Sequence, residues 1–160
     1  YLDMSNVEVE NNIFEPLAEM KKLDTLCMCD VNEAAAETLS QDEYLKGAVH
    51  VGDSTILENL KPLKGMTQLE TLAFTTQISS LEGIEQFPSL NFLSVSFSLV
   101  KDLSPVTGAK NLQVIDISNA DIENFEPLFG HSGLTEVHCT EGQKEKIMKI
   151  DSSPDFEIYT

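Results

Sequence analysis

Leu69-Glu70-Thr71-Leu72-Ala73-Phe74 returns as Leu90-Asn91-Phe92-Leu93-Ser94-Val95. It returns again as Leu112-Gln113-Val114-Ile115-Asp116-Ile117, and as Leu134-Thr135-Glu136-Val137-His138-Cys139. The leading leucines are 21, 22 and 22 residues apart. Upstream, Leu23-Asp24-Thr25-Leu26-Cys27-Met28 has the same shape and lies 46 residues before Leu69, which leaves room for one further repeat. The degenerate strand of that repeat is Ala48-Val49-His50-Val51. Leu2-Asp3-Met4-Ser5-Asn6 matches Ile115-Asp116-Ile117-Ser118-Asn119 and adds a strand at the start. A fixed period of this length is the mark of a stacked repeat architecture, in which no single unit can bury its own apolar face.

A second signature follows each strand. Phe14-Glu15-Pro16-Leu17, Leu60-Lys61-Pro62-Leu63, Leu103-Ser104-Pro105-Val106 and Phe125-Glu126-Pro127-Leu128 sit at matching places, with Leu81-Glu82-Gly83-Ile84 as a variant lacking proline. Proline fixes φ and cannot donate to a ladder, so it suits the turn onto the side opposite the strands.

Period and turn together resemble the bacterial, internalin-like class of leucine-rich repeat, over nearly the whole chain from Leu2 to about Tyr159. The resemblance implies an α/β leucine-rich-repeat solenoid: a right-handed arc with a parallel β-sheet on the concave face and a short helical or extended convex side. It reads as a single domain over 1–160, with seven strands near 2–4, 26–28, 49–51, 72–74, 93–95, 115–117 and 137–139. The asparagine expected after each strand stands only at Asn6 and Asn119, with Asp30, Asp53, Thr76 and Phe97 in its place elsewhere. A buried asparagine ladder is therefore expected to be incomplete.

Alternation places Leu72, Phe74, Leu93, Val95, Ile115 and Ile117 inward as a continuous core. Two segments break the repeat. Asp30 to Gly47 reads as a longer, helical return through Glu33-Ala34-Ala35-Ala36-Glu37-Thr38-Leu39. Thr140-Glu141-Gly142-Gln143 is a capping box that opens a helix over about 141–151, and Phe156-Glu157-Ile158-Tyr159 reads as a last strand, forming a C-terminal cap over 140–160. Because the chain opens on Tyr1 inside a repeat, further repeats or a cap are expected ahead of it.

Composition narrows the partners. There are 27 acidic residues against 10 basic ones, a formal net charge of −17, and every basic residue is lysine. That argues against nucleic acid, which needs a basic face to displace counterions, and equally against an anionic membrane surface. No stretch has the roughly 20 apolar residues that membrane insertion requires. A basic protein partner, or simple solubility, fits the acidity better. The three cysteines are too few and too oddly placed for a disulfide framework.

The residues expected to face outward on the concave side are small or hydroxylated for the most part. Phe92 and Val114 form an apolar spot beside Ser94 and Asp116, and with Thr71, His50 and His138 they make the candidate partner-binding face. An exposed aromatic among polar groups is a binding anchor in many interfaces. Asp3, Cys27 and His50 also share a row, and a thiol beside an imidazole can become a nucleophile. In sequential strand order, however, Cys27 lies between the other two, so Asp3 cannot orient the far side of His50. An open face also supplies no oxyanion hole. Cys27, Cys29 and His50 are the outside candidates for a metal, but two cysteines two apart on a strand lack the turn of zinc sites. Cys139 reads as core filling. No catalytic residue and no cofactor is expected, and the chain does not read as an enzyme.

The internalin-like resemblance implies a protein-binding module that is secreted from, or attached to, a bacterial cell. The acidity fits a rival reading, a cytosolic scaffold or immunity-like inhibitor of a basic protein, and an accessory binding domain of a larger enzyme is the third.

Overall fold

The computed structural model describes residues 2–4, 19–20, 22, 25–28, 49–51, 58–74 and 78–160, and for the first three strands it describes the backbone pairing. The helical return read between Asp30 and Gly47, the turn at Phe14-Glu15-Pro16-Leu17, and Cys29 lie outside the described residues.

The chain is a leucine-rich-repeat solenoid, and among the described residues eight strands form one parallel sheet. These are β1 (Leu2–Met4), β2 (Thr25–Met28), β3 (Val49–Val51), β4 (Thr71–Phe74), β5 (Phe92–Ser94), β6 (Val114–Asp116), β7 (Glu136–His138) and β8 (Glu157–Tyr159). From β4 onward they lie side by side in chain order. β2, β4, β5, β6 and β7 each begin at the residue before the inward leucine or its equivalent, one position earlier than the repeat alone places them, whereas β1 and β3 begin on that residue.

The order at the other end corrects the sequence reading. β3 lies between β1 and β2, and β2 pairs directly with β4. Both neighbours of β3 hydrogen-bond it in register, with Leu2 and Leu26 each opposite Val49. Period alone fixes strand spacing along the chain and cannot fix the order in which strands stack.

Apolar spacing accounts for the core. Leu72, Phe74, Leu93, Val95, Ile115 and Ile117 are fully buried, and so are the leading Leu69, Leu90 and Leu112. Each fully buried leucine or isoleucine contributes roughly 1.5–3 kcal/mol by leaving water. Because the same positions recur in every repeat, this core runs unbroken from Leu60 to Phe156.

The proline signature becomes a helical turn in every described repeat. Lys61–Leu63 and Ser104–Gly108 are 3-10 turns, and Glu126–Phe129 is a short helix, α1, each with proline in the first two positions. Proline is tolerated there because its missing N–H would have no partner in a first turn. The Leu81-Glu82-Gly83-Ile84 variant instead puts Gly83 at the N-cap of the turn Ile84–Gln86, at a φ of 99°. An added Cβ would sit 3.1 Å from the Lys61 nitrogen, so glycine is required.

One device escaped the sequence reading. Asn59, Ser80, Asp102 and Asn124 each accept a hydrogen bond from the backbone N–H two residues on, at 3.0, 3.2, 2.8 and 2.9 Å. Each side chain closes the approach to a helical turn, the ordinary behaviour of these short polar residues. Ser104, through its side chain first and its backbone N–H second, holds the Asp102 carboxyl below its ordinary range. The signal was present in the sequence, because these four residues share the spacing of the leucines.

The asparagine reading is corrected. Asn119 is exposed and has a φ of 60°, and Phe97 in the preceding repeat has a φ of 58°. The buried turn residues are the next ones, Ser98 and Ala120. Asn119 therefore supplies a left-handed backbone, which asparagine tolerates better than most residues, and not a buried amide. In the last repeat the buried amide comes from Gln143, which donates to Ile117 and Ala120 carbonyls at 2.8 and 2.9 Å. Gln143 also completes a capping box with Thr140 at the start of helix α2 (Glu141–Ile150). β8 then pairs with β7 and covers its edge.

Candidate functional site

The face of the sheet turned away from the core is built by register. Thr71, Phe92, Val114, Glu136 and Glu157 are Cα partners in one row across β4 to β8. Ala73, Ser94, Asp116, His138 and Tyr159 form the next. The structure thus brings together Thr71, Phe92, Ser94, Val114, Asp116 and His138 on one face.

It does not leave Phe92 exposed. Phe92 and Val114 are each only 7% exposed, and Thr71 and Ser94 are also buried. Phe92 lies directly between Thr71 and Val114, so neighbouring strands shield both of its flanks at a spacing of about 4.8 Å. The apolar spot expected to anchor a partner is therefore largely withdrawn from solvent.

What this face presents is polar. Ser94 Oγ donates to Asp116 Oδ2 at 3.1 Å, and the Ser118 N–H donates to Asp116 Oδ1 at 2.9 Å. Asp116 is thus held by both oxygens on a half-buried site. One strand on, the His138 ring stacks on Tyr159 with centroids 5.1 Å apart. His138 Nε2 lies 3.5 Å from Glu136 Oε2, near enough for attraction when the ring is protonated but without hydrogen-bond alignment. Glu136 and Glu157 sit opposite each other on β7 and β8, and Tyr159 Oη donates to Glu157. Asp116, Glu136 and Glu157 therefore make a carboxylate strip on three successive strands.

His50 pairs with Asp3 on one side and Cys27 on the other. The order across the sheet is thus Asp3, His50, Cys27, not the one expected from sequence. The objection that Asp3 cannot reach the far side of His50 falls with it, and the absence of an oxyanion hole on an open sheet becomes the argument against a nucleophilic cysteine. Among the described residues no group of three or more His, Cys, Asp or Glu is placed to hold a metal ion. Cys139 is buried in the core, and that burial pushes its thiol above its ordinary pKa, away from the reactive thiolate. Buried His131 is fully engaged: Nε2 reaches the Ala109 carbonyl at 2.8 Å, and the Gly133 N–H donates to Nδ1 at 3.3 Å.

No protein-family model matches the chain. Solved structures do. Over 86% of its length the chain superimposes on an internalin, InlF, of Listeria monocytogenes, with a TM-score of 0.54 and 20% identity. Over 87% it superimposes on internalin C2 of the same species, with a TM-score of 0.56 and 23% identity. The fold is that of the internalin repeats. The chain spans 38% and 60% of those two proteins, and at this identity the likeness is one of fold. Among the described residues no helix is long and apolar enough to cross a membrane.

Proposed function

We propose that this chain is a protein-recognition module that docks a partner protein on the outer face of its sheet and catalyses no reaction. The carboxylate strip of Asp116, Glu136 and Glu157 carries the reading. It lies on an open face of rigid parallel strands, in a chain of net charge −17, and favours a partner with a basic surface. The internalin-like fold supports a bacterial surface-attached or secreted setting. The acidity also fits a second reading, a cytosolic scaffold or inhibitor that neutralises a basic protein.

A pull-down comparing wild type with Glu136→Lys/Glu157→Lys tests the proposal. Both side chains reach solvent, so the double variant inverts charge without opening the core. A basic partner held by wild type and lost by the variant is the expected result. A partner held equally by both would remove the sheet face from the account.

A further inference from the structure

The most exposed large apolar side chains among the described residues are not on the sheet. Leu99 is 62% exposed and Phe97 58%, in the turn that leaves β5. Ser98 and Val100, which alternate with them, are buried, so Phe97 and Leu99 share the side turned from the core. The turn itself is firmly built. Its Ser98 N–H donates to the Val95 carbonyl at 3.0 Å, Phe97 N–H donates to Ser118 O at 3.0 Å, and Leu99 N–H donates to Ile78 O at 3.0 Å. Two apolar groups are thus held out on a rigid rim between neighbouring repeats.

Phe97 also carries an unfavourable backbone. Its φ of 58° is one that a bulky residue rarely adopts, and the next repeat uses Asn119 at a φ of 60° in the same place. The phenylalanine gains little core packing in return, since most of its surface is in water. A strained, exposed aromatic where asparagine would be comfortable marks a residue retained for contact with something else.

The charges nearby select the occupant. Asp121 stands one repeat on from Leu99, Glu141 one repeat on from Asn119, and Glu123 two residues beyond Asp121. All three are exposed. Lys101, the cation of this rim, is already shared between Glu123 at 3.1 Å and Asp121 at 3.5 Å. A second copy of the chain would bring like carboxylates together, and an anionic membrane would be repelled. We infer that the Phe97–Leu99 rim is a docking knob for a cationic protein surface with an apolar cleft edged by lysine or arginine. The inference rests on the reading of the chain as a binding module and moves its apolar anchor from the sheet to the rim.

The test uses short amphipathic peptides as probes, one of leucine and lysine, one of leucine and glutamine, and one of lysine and glutamine, with binding followed by fluorescence anisotropy. The leucine–lysine peptide should bind wild type best, and Phe97→Asn/Leu99→Ser should weaken it at least about tenfold, the size of loss expected for an anchor pair. Phe97→Asn alone should keep or raise the melting temperature, where a structural role would lower it. Unchanged binding by the double variant, no binding by wild type, or equal binding of the leucine–glutamine peptide would each overturn the inference. Binding that survives at the rim variant but is lost in Glu136→Lys/Glu157→Lys would overturn the rim alone and leave the binding-module reading standing.

Discussion

Phe92 and Phe97 stand five positions apart in one repeat and live in opposite surroundings. Phe92 lies on the sheet, walled in by Thr71 and Val114, and is 7% exposed. Phe97 leaves the sheet in a left-handed turn and is 58% exposed. The difference lies in what flanks each residue, not in the residue type. On a parallel sheet every side chain has a neighbour on both strands beside it, so even the face turned from the core hides an aromatic ring. In the turn that shielding ends, and the next residue toward the rim is left in water. The sheet thus supplies stability, while the rim is where an apolar group remains available.

Substitutions along the same repeat pair sharpen this contrast. The largest effect is expected beneath the sheet. Ile115→Asp should cost about 4 kcal/mol or more, because the carboxylate has no partner in the core. Asp116→Asn, next in sequence but on the outer face, should cost about 1 kcal/mol through weaker bonds from Ser94 and Ser118. Chemical denaturation of the two variants measures the gap, and comparable losses would break the in–out division. Phe92→Ala should come second, at about 3 kcal/mol, as for a buried aromatic. A surface aromatic would lose less than about 0.5 kcal/mol, so this variant checks whether Phe92 is as enclosed as described.

Third is Gln143→Leu. It removes the Gln143 bonds to the Ala120 carbonyl, the Thr140 N–H and the Ile117 carbonyl, the last of which keeps the Ala120 N–H, and should cost about 2 kcal/mol. Hydrogen exchange should show the last repeat opening before the ones around Phe92. Fourth, Phe97→Asn should change stability by less than about 1 kcal/mol, in the stabilising direction, as the left-handed strain is relieved.

The smallest effect concerns acid. Asp102 is held below its ordinary pKa by Ser104, through its side chain first and its N–H second, so its contribution is present above the unfolded-state value and is lost as pH falls through the folded one. Asp102→Asn keeps an acceptor for the Ser104 N–H. It should lower stability slightly at neutral pH, where the charged form contributes, and flatten the decline below about pH 4. A variant with the same acid profile as wild type would show that the cap carries no charge dependence.

Much of the fold was legible because the leucine-rich repeat writes its core at a fixed period. Leu72, Leu93 and Ile115 recur with their turns, and the capping box at Thr140 and Gln143 is local chemistry that needs no tertiary knowledge. Strand order was not legible, since nothing in Val49 or His50 says which neighbours their backbone will meet. The site was read less well than the fold. Register placed Ser94, Asp116 and His138 on one row, but exposure depends on flanking strands, and counting residues made Phe92 an anchor when it is enclosed. Asn119 was matched by type to a buried ladder when its position demands a left-handed φ. The same mismatch hid Phe97, whose meaning appears only beside Asn119 in the turn.

The most direct test of the account measures melting temperature and affinity for the leucine–lysine peptide together in Phe92→Ala and Phe97→Asn. The account predicts a melting temperature lower by several degrees in Phe92→Ala, about 2–4 °C per kcal/mol for a domain of this size. It predicts that Phe92→Ala still binds below its melting point, and that Phe97→Asn melts no earlier than wild type but loses binding. A Phe97→Asn variant that binds normally, or a Phe92→Ala variant that keeps full stability while losing the peptide, would contradict it.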